Sequence, residues 1–389
     1  MIKQNNTGTK RTYDVLLRNA AFVFMIGFLL YHLFPFPPLI WRVGLVILSI
    51  MGLYTHARLY PFYAIEKAML AFVGLIIVHF FVSFLWQVPE TTNFGNVLCS
   101  TLPMFLFFVL SVRGVITNKS LLVFLIIASL AGIEYFRHTE EMILYNRLFG
   151  EEGSVTNNAS TIFLVIIPFL FFVKNKYVVF AIMAEILFFL LLGAKRGNIV
   201  ACVIPFILLF LKNALGRSKI ITKIFFLVGF IGILMYAYDQ AVNNEYLMNR
   251  YEDTLEGDSS GRYAIYSRAI DAWGNAPSFA QFFFGQGTDA TLSIIGIRAH
   301  NDWLEILVDF GLLGAVLYFA FFVSMSKTIW RFHKNKEIFY VLLSVFSIWF
   351  IKTLFSMGFT NNIFSYLSMA IGIVLGEAYV HDHSKKIKK

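Results

Sequence analysis

Long unbroken apolar runs separated by short polar stretches dominate this chain. A helix needs roughly 17–25 apolar residues to cross a bilayer, and most runs come close to that length. The in–out alternation of a lipid-facing strand is missing, so a β-barrel is excluded. About twelve spans can be read. The first six lie near 19–34, 37–54, 67–86, 96–112, 120–134 and 158–173; the second six lie near 177–193, 198–212, 220–238, 303–325, 337–356 and 361–380. The interruption at 239–302 has a pattern of its own. In "DSSGRYAIYSRAIDAW", Ser259 or Ser260 stands as a helix cap, and Tyr263, Tyr266, Ile270 and Trp273 follow at helical spacing. This predicts an amphipathic helix lying against the membrane surface. "GNAPSF" ends it, "FGQGTD" makes a turn, and the chain enters the tenth span through "RAHNDWLEILVDFGLLG". The expected organisation is therefore helices one to nine over 1–238, the loop over 239–302, and helices ten to twelve with a basic tail over 303–389.

Composition agrees with an all-α polytopic membrane protein. The chain is 58% hydrophobic and 14% charged, whereas soluble domains carry about 25% charged residues. Cys99 and Cys202 both lie inside apolar runs, which argues against a disulfide framework and against thiol chemistry. A net charge of +9 is explained by topology and does not imply nucleic acid. The first apolar run has no small-residue cleavage site and leads into further spans, so no cleavable signal peptide is expected.

The cations fall into alternate loops. Lys3, Lys10, Arg11 and Arg18 precede the first span; His56 and Arg58, Arg113 and Lys119, and Lys174 and Lys176 follow in every second loop. Lys212, Arg217, Lys219 and Lys223, then Lys327, Arg331, Lys334 and Lys336, and finally the tail lysines complete one face. The positive-inside rule makes that face and both termini cytoplasmic. Against this regularity, Lys195 and Arg196 occupy a tight turn on the opposite, outer side. A tolerated exception and an outer anion site both accommodate them.

Other outer residues extend the inventory. Arg262 follows the cap "SSG", where helix N–H groups attract phosphate, unless it pairs with Asp258 at the surface. Arg268 has Asp271 three residues on and reads as structural. His300 stands at the water–membrane boundary, ahead of Asn301 or Asp302 as the helix cap, and can take a proton near neutral pH. Glu305 and Asp309 follow on the same helical face, with Lys352 as their partner or as a further phosphate contact. Glu185 carries no assigned role, and Arg137, His138 and Arg147 read as solvated surface among acidic neighbours. No Asp-x-Asp pair on the outer side, His-x-x-x-His, Cys-x-x-Cys or phosphate-binding Gly-Lys loop occurs, so neither a metal nor a cofactor is expected. Arginines that hold phosphate and a histidine that moves a proton suit transfer from a donor already activated on a lipid pyrophosphate.

Three stretches resemble the O-antigen ligase family of bacterial membrane glycosyltransferases, in that family's order. They are "AKRG" with Arg196, "SSGRYAIYSRAIDAW" with Arg262 followed by "FFGQGTD", and "AHNDWLEILVDFGLLG" with His300, Asn301, Gly311 and Gly314. The resemblance implies a GT-C-like fold in the bacterial inner membrane and a metal-independent transfer. A glycan would move from undecaprenyl pyrophosphate to a sugar hydroxyl of lipid A-core on the periplasmic side. Arg196 and Arg262 would bind pyrophosphate, His300 would act as general base, and Lys195 would add local charge. O-antigen polymerases and protein O-glycosyltransferases share the motifs more loosely, the latter tending to carry extra carboxyl-terminal domains. A lipid-linked oligosaccharide flippase would also suit the spans, but its charges should line the full membrane depth, and no internal repeat is evident. A membrane scaffold would leave the outer cations unexplained.

Overall fold

Among the described residues, eight helices are long and apolar enough to cross a membrane. They are Arg11–Leu29, Pro38–Leu59, Ala64–Val82, Phe94–Val112, Asn118–Asn146, Asp302–Arg331, Lys336–Phe355 and Asn362–His383. At 1.5 Å per residue, the shortest reaches about 28 Å, close to the ~30 Å hydrocarbon thickness. The coordinates are a computed structural model that describes residues 7–34, 37–85, 92–148, 157–193, 195–213, 231–232, 235, 239 and 262–387. The ninth expected span, 220–238, falls almost wholly outside them, as do Ser259, Ser260 and the Arg147 side chain. All regular elements among the described residues are helical, and this is an all-α, multi-pass membrane protein.

In chain order the helices are α1 (Thr7–Leu29), α2 (Pro38–Leu59), α3 (Ala64–Leu85), α4 (Thr92–Thr101), α5 (Pro103–Val112), α6 (Asn118–Leu148), α7 (Thr161–Val165), α8 (Lys176–Leu192) and α9 (Arg196–Asn213). Then come α10 (Arg262–Gly274), α11 (Phe279–Phe284), α12 (Ala290–Ile295), α13 (Asp302–Arg331), α14 (Lys336–Phe355) and α15 (Ser365–Ile387). Local chemistry sets many of the starts. Pro38 opens α2, where its missing N–H costs nothing. The side chains of Asn175, Asn301 and Asn335 cap α8, α13 and α14 by accepting from backbone N–H groups. The short α7 is flanked by 3-10 turns, so 158–172 descends as a broken helix.

The core is built on α5, whose residues from Pro103 to Ser111 are all buried. Glycines let neighbouring backbones close on it. A Cβ at Gly52 would lie 2.4 Å from the Leu106 Cα, and one at Gly372 would lie 2.1 Å from the Met104 carbonyl. Gly372 and Gly376 stand four apart on α15, the small-residue spacing by which membrane helices pack without a hydrophobic driving force. Outward-facing apolar side chains such as Ile47, Ile50, Leu130, Ile207 and Phe319 are exposed, as lipid contact permits.

Polar contacts sort to the two ends of the bundle. At one end Arg113 pairs with Asp14, Arg18 donates to the Val115 carbonyl, Lys212 donates to the Phe171 carbonyl, and Arg331 pairs with Asp382. At the other end stand the start of α13, the end of α14, and the α8–α9 turn. Two features there differ from expectation. The fifth span does not stop near 134 but continues as helix to Leu148, so part of the expected outer loop is helical. The tenth is interrupted: Gly311 has φ 65° and ψ −166° inside α13.

Candidate functional site

The break at Gly311 organises the outer end. It leaves the carbonyls of Val308 and Asp309 without their intrahelical donors. The N–H of Gln286 donates to Val308 (2.9 Å) and the N–H of Gly287 donates to Asp309 (3.0 Å). The "FFGQGTD" turn therefore caps a broken membrane helix. Only glycines allow this approach: a Cβ at Gly285 would lie 2.3 Å from the Asp309 carbonyl oxygen, and one at Gly311 would lie 2.4 Å from the Gly285 nitrogen.

The Asp309 carboxylate reinforces the junction by accepting from Thr291 N (2.8 Å), Thr291 Oγ1 (2.7 Å) and Asp289 N (3.2 Å). Above it, α10 packs through Ile265 and Ala269 against Ala290, Ala299 and Val308. Of the expected apolar stripe, Tyr266 and Trp273 join this packing, while Tyr263 and Ile270 are exposed. The Trp273 ring stacks on Phe282 at 4.4 Å, and its Nε1 donates to the Phe282 carbonyl at 3.0 Å.

The carboxylates expected to pair with Lys352 have other partners. Asp309 holds the turn. Glu305, 1% exposed, lies 3.9 Å from Arg298, which also pairs with Asp289 at 3.0 Å. Asp302 is wholly buried and accepts from Tyr318 Oη (2.8 Å), Gly358 N (2.8 Å) and Phe359 N (3.2 Å), tying α13 to the turn after α14. Asn301 is the helix cap, accepting from Trp303 N at 3.0 Å and Leu304 N at 3.3 Å. Lys352, also fully buried, donates to Asn198 Oδ1 at 2.8 Å. The Asn198 amide in turn donates to Ser160 Oγ (2.9 Å) and Thr161 Oγ1 (3.2 Å).

That chain fixes the α8–α9 turn. A Cβ at Gly193 would lie 2.5 Å from the Ser160 Cβ, and one at Gly197 would lie 3.2 Å from the Phe355 Cβ. The start of α9 is thereby held against the end of α14. Lys195 donates to Asn158 Oδ1 at 2.7 Å. Arg196 is the first residue of α9, and its side chain lies outside the described residues.

The cations at this end influence one another. Desolvation, and secondly the charge on Arg262, bring the Lys195 amine down to about 8. His300 has φ 52° and an accessible side chain. Its imidazole is lowered below the usual histidine value, first by desolvation and then by the charges of Arg262, Lys195 and Arg298. Lys352 lies within electrostatic reach of Lys195, Arg262 and Asp302. Lys195, Arg262, His300 and Lys352 therefore share one cationic region, although more than 150 residues separate the first from the last. Its chemistry is plain: it can neutralise an oxyanion, and its neutral imidazole can accept a proton.

The remaining sequence candidates lie elsewhere or bond locally. Arg268 is exposed and donates to the Ala264 carbonyl at 3.4 Å. Glu185 accepts from Ser129. Arg137 pairs with Glu134 (2.7 Å) and Glu141 (2.6 Å), and His138 stacks on His32 at 4.0 Å. Asn198, Asn158, Ser160 and Arg298 were not singled out from the sequence. A neutral amide or hydroxyl in an apolar run carries no pattern until its partner is placed beside it.

No curated protein matches the chain. Residues 178–319 match the family model described as O-antigen ligase. The match runs from α8 into α13 and takes in Lys195, Arg196, Asn198, Arg262, Arg298 and His300, leaving Lys352 outside. All three motifs expected from the sequence fall within the segment that is similar to this family.

Proposed function

We propose that this protein is an O-antigen ligase of the inner membrane. It transfers a glycan from undecaprenyl pyrophosphate to a sugar hydroxyl of lipid A-core at the periplasmic end of the bundle. The observation that carries the reading is the cationic region of Lys195, Arg262, His300 and Lys352, inside or beside the matched segment and opposite the Arg113–Asp14 end. In this reading the Arg113–Asp14 end is cytoplasmic, following the alternation of basic loops. We count the eight long helices together with 158–172, α8 and α9 as passes; the remaining expected pass, 220–238, lies almost wholly outside the described residues. We take the whole as GT-C-like.

His300 removes the proton from the acceptor hydroxyl. The hydroxyl oxygen forms a bond to the anomeric carbon as the bond from that carbon to the pyrophosphate oxygen breaks. Arg262, Arg196 and Lys195 offset the charge that gathers on the departing undecaprenyl pyrophosphate, while Lys352 holds the α8–α9 turn in place through Asn198. The step needs no metal or cofactor. Asn301 orients the base by capping α13 behind it, Glu305 steadies Arg298 two residues before it, and Asp309 holds the turn that supports α10.

Reconstituted full-length protein given lipid-linked glycan should glycosylate lipid A-core. Product only when a second lipid-linked glycan is the acceptor would make the protein a polymerase with the same donor chemistry. No product with either acceptor would overturn the reading.

A further inference from the structure

Arg42 stands in the second turn of α2, about 6 Å along the helix from Pro38. That places it at the same end of the bundle as the α8–α9 turn. The chain of contacts runs from His32 to Glu134 on α6 (3.5 Å), from Phe136 of α6 to Asn157 (3.0 Å), and from neighbouring Asn158 to Lys195 (2.7 Å). Charge counting over loops misses Arg42 because it lies inside an apolar run.

Its guanidinium has no carboxylate partner among the described residues. Nε is buried and makes no hydrogen bond there, and the group lies over the Phe28 ring at 5.4 Å. Cys99 donates to its backbone carbonyl, which does nothing for its charge. An arginine at membrane depth is costly and is ordinarily paired, or else reaches up to phosphate. Every other described cation near this end has a polar partner or belongs to the region around His300.

A second orphan, His32, lies in the short turn that follows α1. The His32 side chain is only 8% exposed, and its Nδ1 is buried with no partner, while Nε2 faces Glu134. The Phe28 ring carries Arg42 and lies 6.3 Å from Tyr31, the residue before His32 in the chain. Tyr135 completes the wall, within electrostatic reach of both Tyr31 and Arg42.

We propose that Arg42, walled by Phe28 and Tyr135, binds a phosphate ester on a lipid at the outer end of the bundle. The guanidinium fork matches phosphate oxygens bidentately, and a long side chain about one turn inside the span can reach up toward lipid phosphates. The phosphate can come from a phosphorylated glycolipid or from a bulk phospholipid headgroup. The site is separate from the transfer chemistry and does not depend on it.

Native mass spectrometry of the full-length protein tests this, with diphosphoryl lipid A and dioleoyl phosphatidylglycerol as probes. Arg42→Gln should bind diphosphoryl lipid A about tenfold more weakly than wild type, and Arg42→Lys should fall between them. Arg58→Gln, an exposed cation at the far end of α2, should bind like wild type. A loss confined to lipid A assigns the site to glycolipid phosphate; a loss with both probes assigns it to headgroups in general. Unchanged binding of both probes by Arg42→Gln overturns the proposal. So does wild-type protein that binds dephosphorylated lipid A as tightly as the diphosphoryl form, a comparison that stands even if the glutamine variant fails to fold. Binding is read without transfer, so either idea can fail alone.

Discussion

Replacing Gly311 by alanine should undock the outer turn from α13. The native φ 65° and ψ −166° belong to a region that is essentially open to glycine alone, and a side chain there costs about 1–3 kcal/mol. The new Cβ would also stand 2.4 Å from the Gly285 nitrogen and 2.5 Å from the Phe283 carbonyl oxygen. Both are backbone atoms and cannot rotate away. Relief requires the 283–287 segment to move, which breaks the bonds from Gln286 N and Gly287 N to α13, each contributing about 1 kcal/mol. Together the cost is roughly 3–5 kcal/mol, concentrated at this junction. Since each 1.4 kcal/mol is about tenfold in an equilibrium, local opening should rise at least ~100-fold. Hydrogen exchange of a peptide covering Gln286 and Gly287 reads this directly. Two controls grade the effect. Gly296→Ala meets open space and pays only for its φ of 76°, about 1 kcal/mol, and Gly274→Ala, with open space and no positive φ, should be neutral or slightly stabilising. Exchange in Gly311→Ala within threefold of wild type would refute the role given to the break.

Other predictions concern the buried anchor and the cations. Asp302→Ala leaves Tyr318, Gly358 N and Phe359 N without their acceptor and should cost about 3 kcal/mol in detergent unfolding, against about 1 for Tyr318→Phe; equal losses would contradict the three-way anchor. Lys195 is charged below about 8 and neutral above it, so affinity for the pyrophosphate donor should fall as pH rises through that value. Lys195→Arg should abolish that limb, as measured by donor binding from pH 7 to 9. His300 is held below the ordinary histidine value, so transfer should survive to below pH 6.5 and fail as the imidazole protonates. Removing a neighbouring charge with Arg298→Gln should move that acid limb to higher pH; a shift to lower pH would contradict the electrostatics.

The all-α, multi-pass character was legible in the sequence because lipid imposes a coarse rule that each span obeys by itself, while eight of the expected spans appear as helices of full crossing length among the described residues. The turn at Lys195 stood out for the same reason, as a breach of a regular charge pattern. What escaped depended on contacts between distant segments. Nothing local marks Gly311 as a break until Gly285 is brought against it, and nothing local marks Ile265 and Ala269 as the face of α10 that meets Ala290, Ala299 and Val308. Lys352 found an amide across the bundle in preference to the carboxylates ahead of it in the sequence. Arg42 was hidden because an arginine inside an apolar run adds nothing to a loop count.

The central claim is that Arg262 and His300 do different work in one transfer. Steady-state transfer by reconstituted protein, with donor and acceptor varied separately, tests it most directly. Arg262→Ala should raise the KM for donor and lower kcat. His300→Ala should lower kcat about 100-fold or more with the donor KM nearly unchanged. Transfer at the wild-type rate by His300→Ala would contradict the account.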